Sequence, residues 1–279
     1  MGLSRDVDES AAIEQIDAFC DAVPRRRARA EEHGPLVLFV PTGPGWPYYA
    51  RPRRGRRGAA GTVTAEDIRA VRARQRELLI PESFEWIDEA TPGMTAAAPG
   101  GGLAARAHPL MVLSALTPAP VTEPGITVRI VSPDEPELDR IWAVPAVAFG
   151  HPGTAVGRAG AIERDKIAAD HDDSTMDMLR ERLRSGQSVL VAAFGPDGPL
   201  AAGSCQPLAG VAEITGVGVL PNARRTGLGG AVTAVLAGDA LRRGVQTVFL
   251  AASDEDVARV YARLGFRRIG TAMIAEPDS

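Results

Sequence analysis

Apolar and polar positions change period along the chain often enough to mark out its elements. Ile13, Ile16 and Phe19 recur at helical spacing, with Cys20 on the same face, and predict a helix over residues 9–32. Leu36–Val40 is a short apolar run between Gly34-Pro35 and Pro41, which reads as a strand. Gly43-Pro44-Gly45 predicts a turn, and Trp46–Arg51 a second strand, placed at an edge by Pro47. Thr64, three residues before Asp67, is a helix-start signal, and the helix runs through Ile68, Val71 and Gln75 to about Leu79. Phe84–Glu89 alternates with the period of a half-buried strand. A short helix over Thr91–Ala98 stops at Pro99-Gly100-Gly101-Gly102, and His108–Leu113 is a further strand.

Prolines then crowd the chain at Thr117-Pro118-Ala119-Pro120 and Glu123-Pro124-Gly125. At that density they stop both helices and ladders, so residues 117–125 read as a linker between domains at 1–116 and 126–279. Beyond it, Ile126–Val131 alternates as a strand, and Ser132-Pro133 starts a helix carrying Leu138, Ile141 and Trp142. Residues 150–165 form a glycine-rich connection, followed by a helix over Thr175–Arg184. Ser188–Phe194, Leu200–Gln206 and Val211–Val219 are strands, the first two joined by a Gly195-Pro196-Asp197-Gly198 turn. Leu228, Val232, Val235 and Leu236 line a helix that ends before Gly244. Thr247–Ala252 is a strand. Val257, Val260, Tyr261 and Leu264 share the buried face of a last helix, and a final strand holds Thr271–Ile274.

Composition narrows the class. The chain has 279 residues, 45% hydrophobic and 24% charged, with net charge −4. That suits a globular protein of two domains, and it points to neither nucleic acid nor membrane as partner. No apolar run reaches the length of a membrane span, and the polar start of the chain does not resemble a signal peptide. Cys20 and Cys205 lie far apart and form no metal spacing, so free thiols in a cytoplasmic protein are expected, with no metal. The basic stretch Arg51–Arg57 has a sharp reading, contact with phosphate or nucleic acid, and a plain one, a solvated loop tip.

The most informative stretch joins the Val211–Val219 strand to the helix at Leu228. Arg224-Arg225-Thr226-Gly227-Leu228-Gly229-Gly230 is a glycine-rich turn with two arginines at a helix N-terminus. Backbone amides there can close on an anion, helped by the helix dipole. Glycines opening a helix are costly in propensity, which favours a ligand-binding role. No lysine and Ser/Thr follow the last glycine, so a Walker-type loop is excluded. Gly216 and Gly218 predict a bulge in the strand before the turn.

In this order, Arg224-x-x-Gly227-x-Gly229 followed by Val257-x-x-x-Tyr261-x-x-x-Gly265-Phe266 resembles the GNAT superfamily of acetyl-CoA-dependent N-acyltransferases. The resemblance covers about residues 126–275. It implies an α/β (α+β) fold with a mixed, mostly antiparallel sheet flanked by helices, beside a smaller N-terminal α/β lobe. Residues 84–113 repeat the strand–helix–glycine–strand order of 247–274, so that lobe resembles a degenerate GNAT half, without the anion turn or the tyrosine.

The resemblance also implies roles. Arg224, Arg225, Thr226, Gly227, Leu228, Gly229 and Gly230 would hold the pyrophosphate of acetyl-CoA. Backbone groups of Val217, Gly218 and Val219 would bind the pantetheine arm and polarise the thioester. Tyr261 would be the general acid and Glu213 the general base, facing the same side as Thr215 and Val217 if the strand alternates. Asp254 stands where many members have an asparagine that contacts the cofactor arm, although an acid in a first helical turn also answers the helix dipole. The expected function is acetyl transfer to a primary amine of a small molecule or peptide, with a homodimer among the states allowed. The alternative is a non-catalytic acyl-CoA-binding regulatory protein.

Overall fold

The computed structural model describes residues 8–43, 48–54, 62–118 and 123–278. They divide into two compact units. One contains 8–111, 251–254 and 268–278; the other contains 112–250 and 255–267.

In the first unit, α1 (Glu9–Ala22) starts at Asp8, whose carboxylate accepts from the amides of Ser10 and Ala11. Ala12, Ile16 and Phe19 form its buried face. The helix ends ten residues short of the expected 32. Pro24 opens a single 3₁₀ turn, and β1 (Ala28–His33) follows. β1 pairs antiparallel with β2 (Leu36–Pro41), from Ala28↔Pro41 to His33↔Leu36, around a turn at Gly34-Pro35. Its charged residues hide the strand, because only its pairing with the apolar β2 makes it one. β3 (Arg51–Pro52) pairs on the far side of β2.

Part of the strand expected over 46–51, and of the turn at 43–45, lies outside the described residues; Ala50 makes an isolated parallel bridge to Phe84. Arg51 is not the solvated loop residue the sequence suggests. It is 1% exposed and ion-paired with Asp17 at 2.6 Å and Glu85 at 3.4 Å. A guanidinium is tolerated in that position because carboxylates meet it there. Residues 55–61 of the basic stretch lie outside the described residues.

α2 (Ala65–Glu77) carries the predicted capping box. Asp67 N–H donates to Thr64 Oγ1, and Thr64 N–H donates to the Asp67 carboxylate. β4 (Phe84–Ile87), α3 (Pro92–Ala97) and β5 (Leu103–Leu113) complete this stretch. Leu36, Leu38, Ile68, Val71, Phe84, Trp86, Met94 and Leu103 form one core.

The second unit begins with β6 (Thr127–Ile130), α4 (Leu138–Phe149), α5 (Ala161–Ala169) and α6 (Asp173–Arg184). α5 starts inside the stretch expected to be connection, at Gly160, whose N–H donates to Glu163. β7 (Val189–Gly195), β8 (Gly198–Leu208) and β9 (Val211–Val219) follow, then α7 (Leu228–Arg242), β10 (Thr247–Ala251) and α8 (Glu255–Arg263). The strands lie in the order β10-β9-β8-β7-β6. Only β10 and β9 are parallel; the other pairs are antiparallel. α4 packs on one face, where it meets Gly218. α7 packs on the other, where Val232 and Leu236 approach Gly203. The last strand, β11 (Phe266–Pro277), lies between β4 and β5 and pairs antiparallel with β4, from Ala272↔Ile87 to Ala275↔Phe84.

Gly265, between α8 and β11, shows why its motif needs glycine. Its φ is +96°, and a Cβ there would overlap the carbonyl oxygen of Ala115. Ser114 N–H donates to Gly265 O and Thr117 N–H to Leu264 O, each at 3.0 Å, so the backbone of 114–117 is pressed against this turn. Gly265→Ala is expected to lower stability by roughly 2–4 kcal/mol through strain and overlap. Thermal unfolding checks this, and an unchanged midpoint would contradict the packing described.

Candidate active site

β9 carries one residue more than its neighbour. Ala202 pairs with Gly218 and Ser204 with Thr215, so two steps along β8 answer three along β9. The extra residue falls at Gly216-Val217, where Gly216 adopts φ +62°. The predicted bulge is therefore present. It also changes which way the side chains point. Glu213 lies opposite Gln206, and Thr215 opposite Ser204, with Ser204 Oγ and Thr215 Oγ1 3.0 Å apart. Val217 instead turns to the α7 face, since a Cβ on Gly203 would meet it at 2.9 Å together with Val232. Glu213 and Thr215 thus share a face as expected, but Val217 does not join them. One added residue inverts a period of two.

The parallel pairing ends before the bulge. Among the described residues the parallel register with β10 spans Thr247↔Val211 to Phe249↔Glu213, and β9 continues past it through Val219. Gly218 lets α4 sit close, because a Cβ there would lie 2.9 Å from both Ala148 Cβ and Pro145 Cα.

The chain then makes a 3₁₀ turn over Pro221–Ala223 and enters the glycine-rich segment. Arg225 is left-handed at φ +68° and Gly227 at φ +82°. For arginine this conformation costs about 1–2 kcal/mol. Gly227 is the N-cap of α7 and supplies no side chain; no acid occupies the first turn. The first intrahelical bond is Ala231 N–H to Gly227 O, which leaves the amides of Leu228, Gly229 and Gly230 without an intrahelical acceptor. Thr226 Oγ1 donates to Ala223 O at 2.6 Å and braces the turn.

The two arginines part company. Arg225 is exposed, whereas the Arg224 guanidinium reaches the carbonyls of Ala148, His151 and Ala155. The sequence gives no sign of that difference, since it depends on where α4 ends.

Tyr261 is buried in α8, 8% exposed, with its ring 6.1 Å from that of Phe266. Burial pushes its phenol up to about 12. Cys205, opposite Ile214 in β8, is also pushed up to about 12, foremost by burial and then by the negative charge of Glu213. It stays a thiol at neutral pH and is a poor nucleophile. Asp254 falls in the first unit and accepts from Ser253 Oγ at 3.1 Å. A cavity of about 720 Å³ in the second unit lies away from these residues, lined by Arg129, Arg140, Arg164 and Asp165. Arg140 and Arg164 both pair with Asp165, and Arg129 with Glu135, so the chemistry is better sought at β9 and α7.

Tyr261 also fixes a pH dependence. Its phenol ionises near 10 when unfolded and about 12 when folded, so the unfolded state loses its proton first. The folded state is then destabilised as pH rises from about 10 to about 12, by up to about 3 kcal/mol. Tyr261→Phe should flatten the fall of stability in that window, measured by urea unfolding; an equally steep fall would contradict a buried phenol.

The comparisons with known proteins fit this geometry. Residues 156–266 match the model described as the Acetyltransferase (GNAT) family. A solved GCN5-related N-acetyltransferase from Kribbella flavida is similar over 100% of this chain and 97% of its own, at 22% identity and TM-score 0.64. One from Sphaerobacter thermophilus is similar over 98% of this chain and 94% of its own, at 19% identity and TM-score 0.53. A tandem GNAT protein from the clavulanic acid biosynthesis pathway is similar over 88% of this chain and 79% of its own, at 16% identity and TM-score 0.53. At such identities the likeness is one of fold. No curated protein matches the chain. Residues 156–266 form an acetyltransferase domain of the GNAT family.

Proposed function

We propose that the protein moves an acetyl group from acetyl-CoA to a primary amine of a small molecule or peptide, by direct attack within a ternary complex. The observation that carries this reading is the α7 N-terminus. Three amides lie without intrahelical acceptors behind a strained turn that has no acid and no capping side chain. That donor set fits a pyrophosphate. β9, continuing past its ladder with β10, fits an extended pantetheine arm added as a strand would be. The family as a whole uses acyl-CoA.

Acetyl-CoA, when bound, supplies the thioester whose C–S bond breaks as the new C–N bond forms. Glu213 takes the proton of the acceptor ammonium, directly or through water, and frees its lone pair for attack. Backbone N–H groups over Val217–Val219 receive the carbonyl oxygen as negative charge grows on it. Tyr261 gives its phenolic proton to the departing sulfur and recovers one from solvent after product leaves. An ordinary thiol, near 8.5, is too acidic to take a proton readily from a phenol at about 12. A leaving sulfur in dry surroundings is raised by the same desolvation that raises the phenol, which brings the two closer to a match. The protonated state of Cys205 also favours direct attack over an acyl-enzyme on that residue.

Further proposals rest on the same reading. The domains lie at 1–116 and 126–279, joined by a linker at 117–125, with the first a degenerate GNAT-like lobe that serves as scaffold. The similarity to a tandem GNAT protein supports that duplication. Both cysteines are free, which suits a cytoplasmic protein, and no helix among the described residues is long and apolar enough to cross a membrane.

Release of free CoA thiol against a panel of primary amines, with the acetylated product identified by mass, tests the activity. Binding of CoA with no turnover on any amine would favour the regulatory alternative. Tyr261→Phe is expected to lower kcat roughly 10²–10⁴-fold with little change in KM for acetyl-CoA. A wild-type rate in that variant would remove Tyr261 from the chemistry. Glu213→Gln should lower kcat/KM and abolish the acid limb of its pH profile; a retained acid limb would assign the base elsewhere.

A further inference from the structure

Arg224 has its backbone in the anion turn and its side chain in another part of the unit. Nη1 donates to Ala155 O at 3.2 Å; Nη2 donates to Ala148 O at 3.0 Å and His151 O at 2.6 Å. Ala148 lies in the last turn of α4, so the cation also meets the negative end of that helix. The same two segments are joined elsewhere. Gly157 N–H donates to Pro221 O at 3.0 Å, and Asn222 N–H to Ala159 O at 3.1 Å. The side-chain amide of Asn222 occupies the space a Cβ on Gly160 would need. The connection 148–160 is thus stitched to residues 221–224 along its length.

The turn held in this way is strained at Arg225 and left without a capping side chain at Gly227. Such a backbone persists only where its surroundings over-determine it. The stitching supplies that constraint, and it does so before any ligand arrives.

We infer that Arg224 is a positioning residue. It keeps residues 224–227 in the shape that receives an anion by fastening them to the end of α4, and its guanidinium does not contact the anion. Charge toward the ligand comes instead from the exposed Arg225. The inference rests on the acetyl-CoA reading and separates two arginines that look equivalent in sequence. A lysine cannot replace the fork, since one ammonium on a flexible stem cannot hold three carbonyls in a fixed plane.

The test is calorimetric titration of CoA into wild type, Arg224→Lys, Arg224→Gln, Arg225→Gln and Gly160→Ala over about 0.05–0.5 M salt. Amide hydrogen exchange of 148–160 and 221–230 is read on the same proteins without ligand. Both Arg224 variants should bind CoA roughly tenfold or more weakly at every salt concentration, with the wild-type salt dependence and with lysine no better than glutamine. Exchange in both segments should quicken. Arg225→Gln should flatten the salt dependence. Gly160→Ala, which pushes Asn222 aside while leaving both arginines in place, should weaken binding and quicken exchange as the Arg224 variants do. It keeps the test decisive if an Arg224 variant fails to fold. Wild-type affinity in Arg224→Lys, a salt dependence flattened by Arg224→Gln, or unaltered exchange in Gly160→Ala would overturn the inference. If wild type binds no CoA, the cofactor reading fails, and the exchange of these variants alone still decides whether the seam holds the turn.

Discussion

One surplus residue in β9 governs the second unit. A strand fully paired on both sides would keep its alternation and run flush with β10. The extra residue at Gly216-Val217 breaks the alternation, and it does so just past the last rung with β10 at Glu213. It sends Val217 to the α7 face while Glu213 and Thr215 stay on the other. The strand then feeds a turn that cannot relax into regular helix, because Arg225 and Gly227 are both left-handed. A bulge is a local loss of ladder energy. Here it converts a structural strand into one with backbone to spare next to a helix whose first amides lack intrahelical acceptors.

Burial in this unit holds Tyr261 and Cys205 protonated, and neither needs a counter-charge. Each unit also encloses a cation. The second answers Arg164, 1% exposed, with Asp165 and the carbonyls of Asp197 and Pro199. The first answers Arg51 with Asp17 and Glu85. Such a pair adds little net stability but is costly to break, so it fixes α1, β3 and β4 to one another more than it strengthens the unit.

Signals that depend on a few neighbouring residues were legible in the sequence. The Thr64 capping box, the bounds of β9 and the start of α7 at Leu228 all rest on local chemistry, and the structure has them as read. What could not be read depends on distant partners. β1 is a strand only because β2 lies beside it, and its charges imitate the continuation of α1. Arg51 looks like its basic neighbours until Asp17 and Glu85 close around it. The direction of Arg224 is set by where α4 ends, some seventy residues earlier in the chain. The site followed the same rule. Its residue types and their spacing were legible, whereas the face on which Val217 lies turned on a register count that alternation cannot supply.

β11 has a meaning for the order of folding. The strand that lies between β4 and β5 comes from Phe266–Pro277, far downstream of both. During synthesis α1, β2, α2 and β4 emerge early, yet Phe84–Ile87 has no antiparallel partner until residues 272–275 follow. The N-terminal portion must therefore wait, with one strand edge open, while the entire second unit is made and packed. A chain cut at the proline-rich segment would part β4 and β5 from the strand that lies between them.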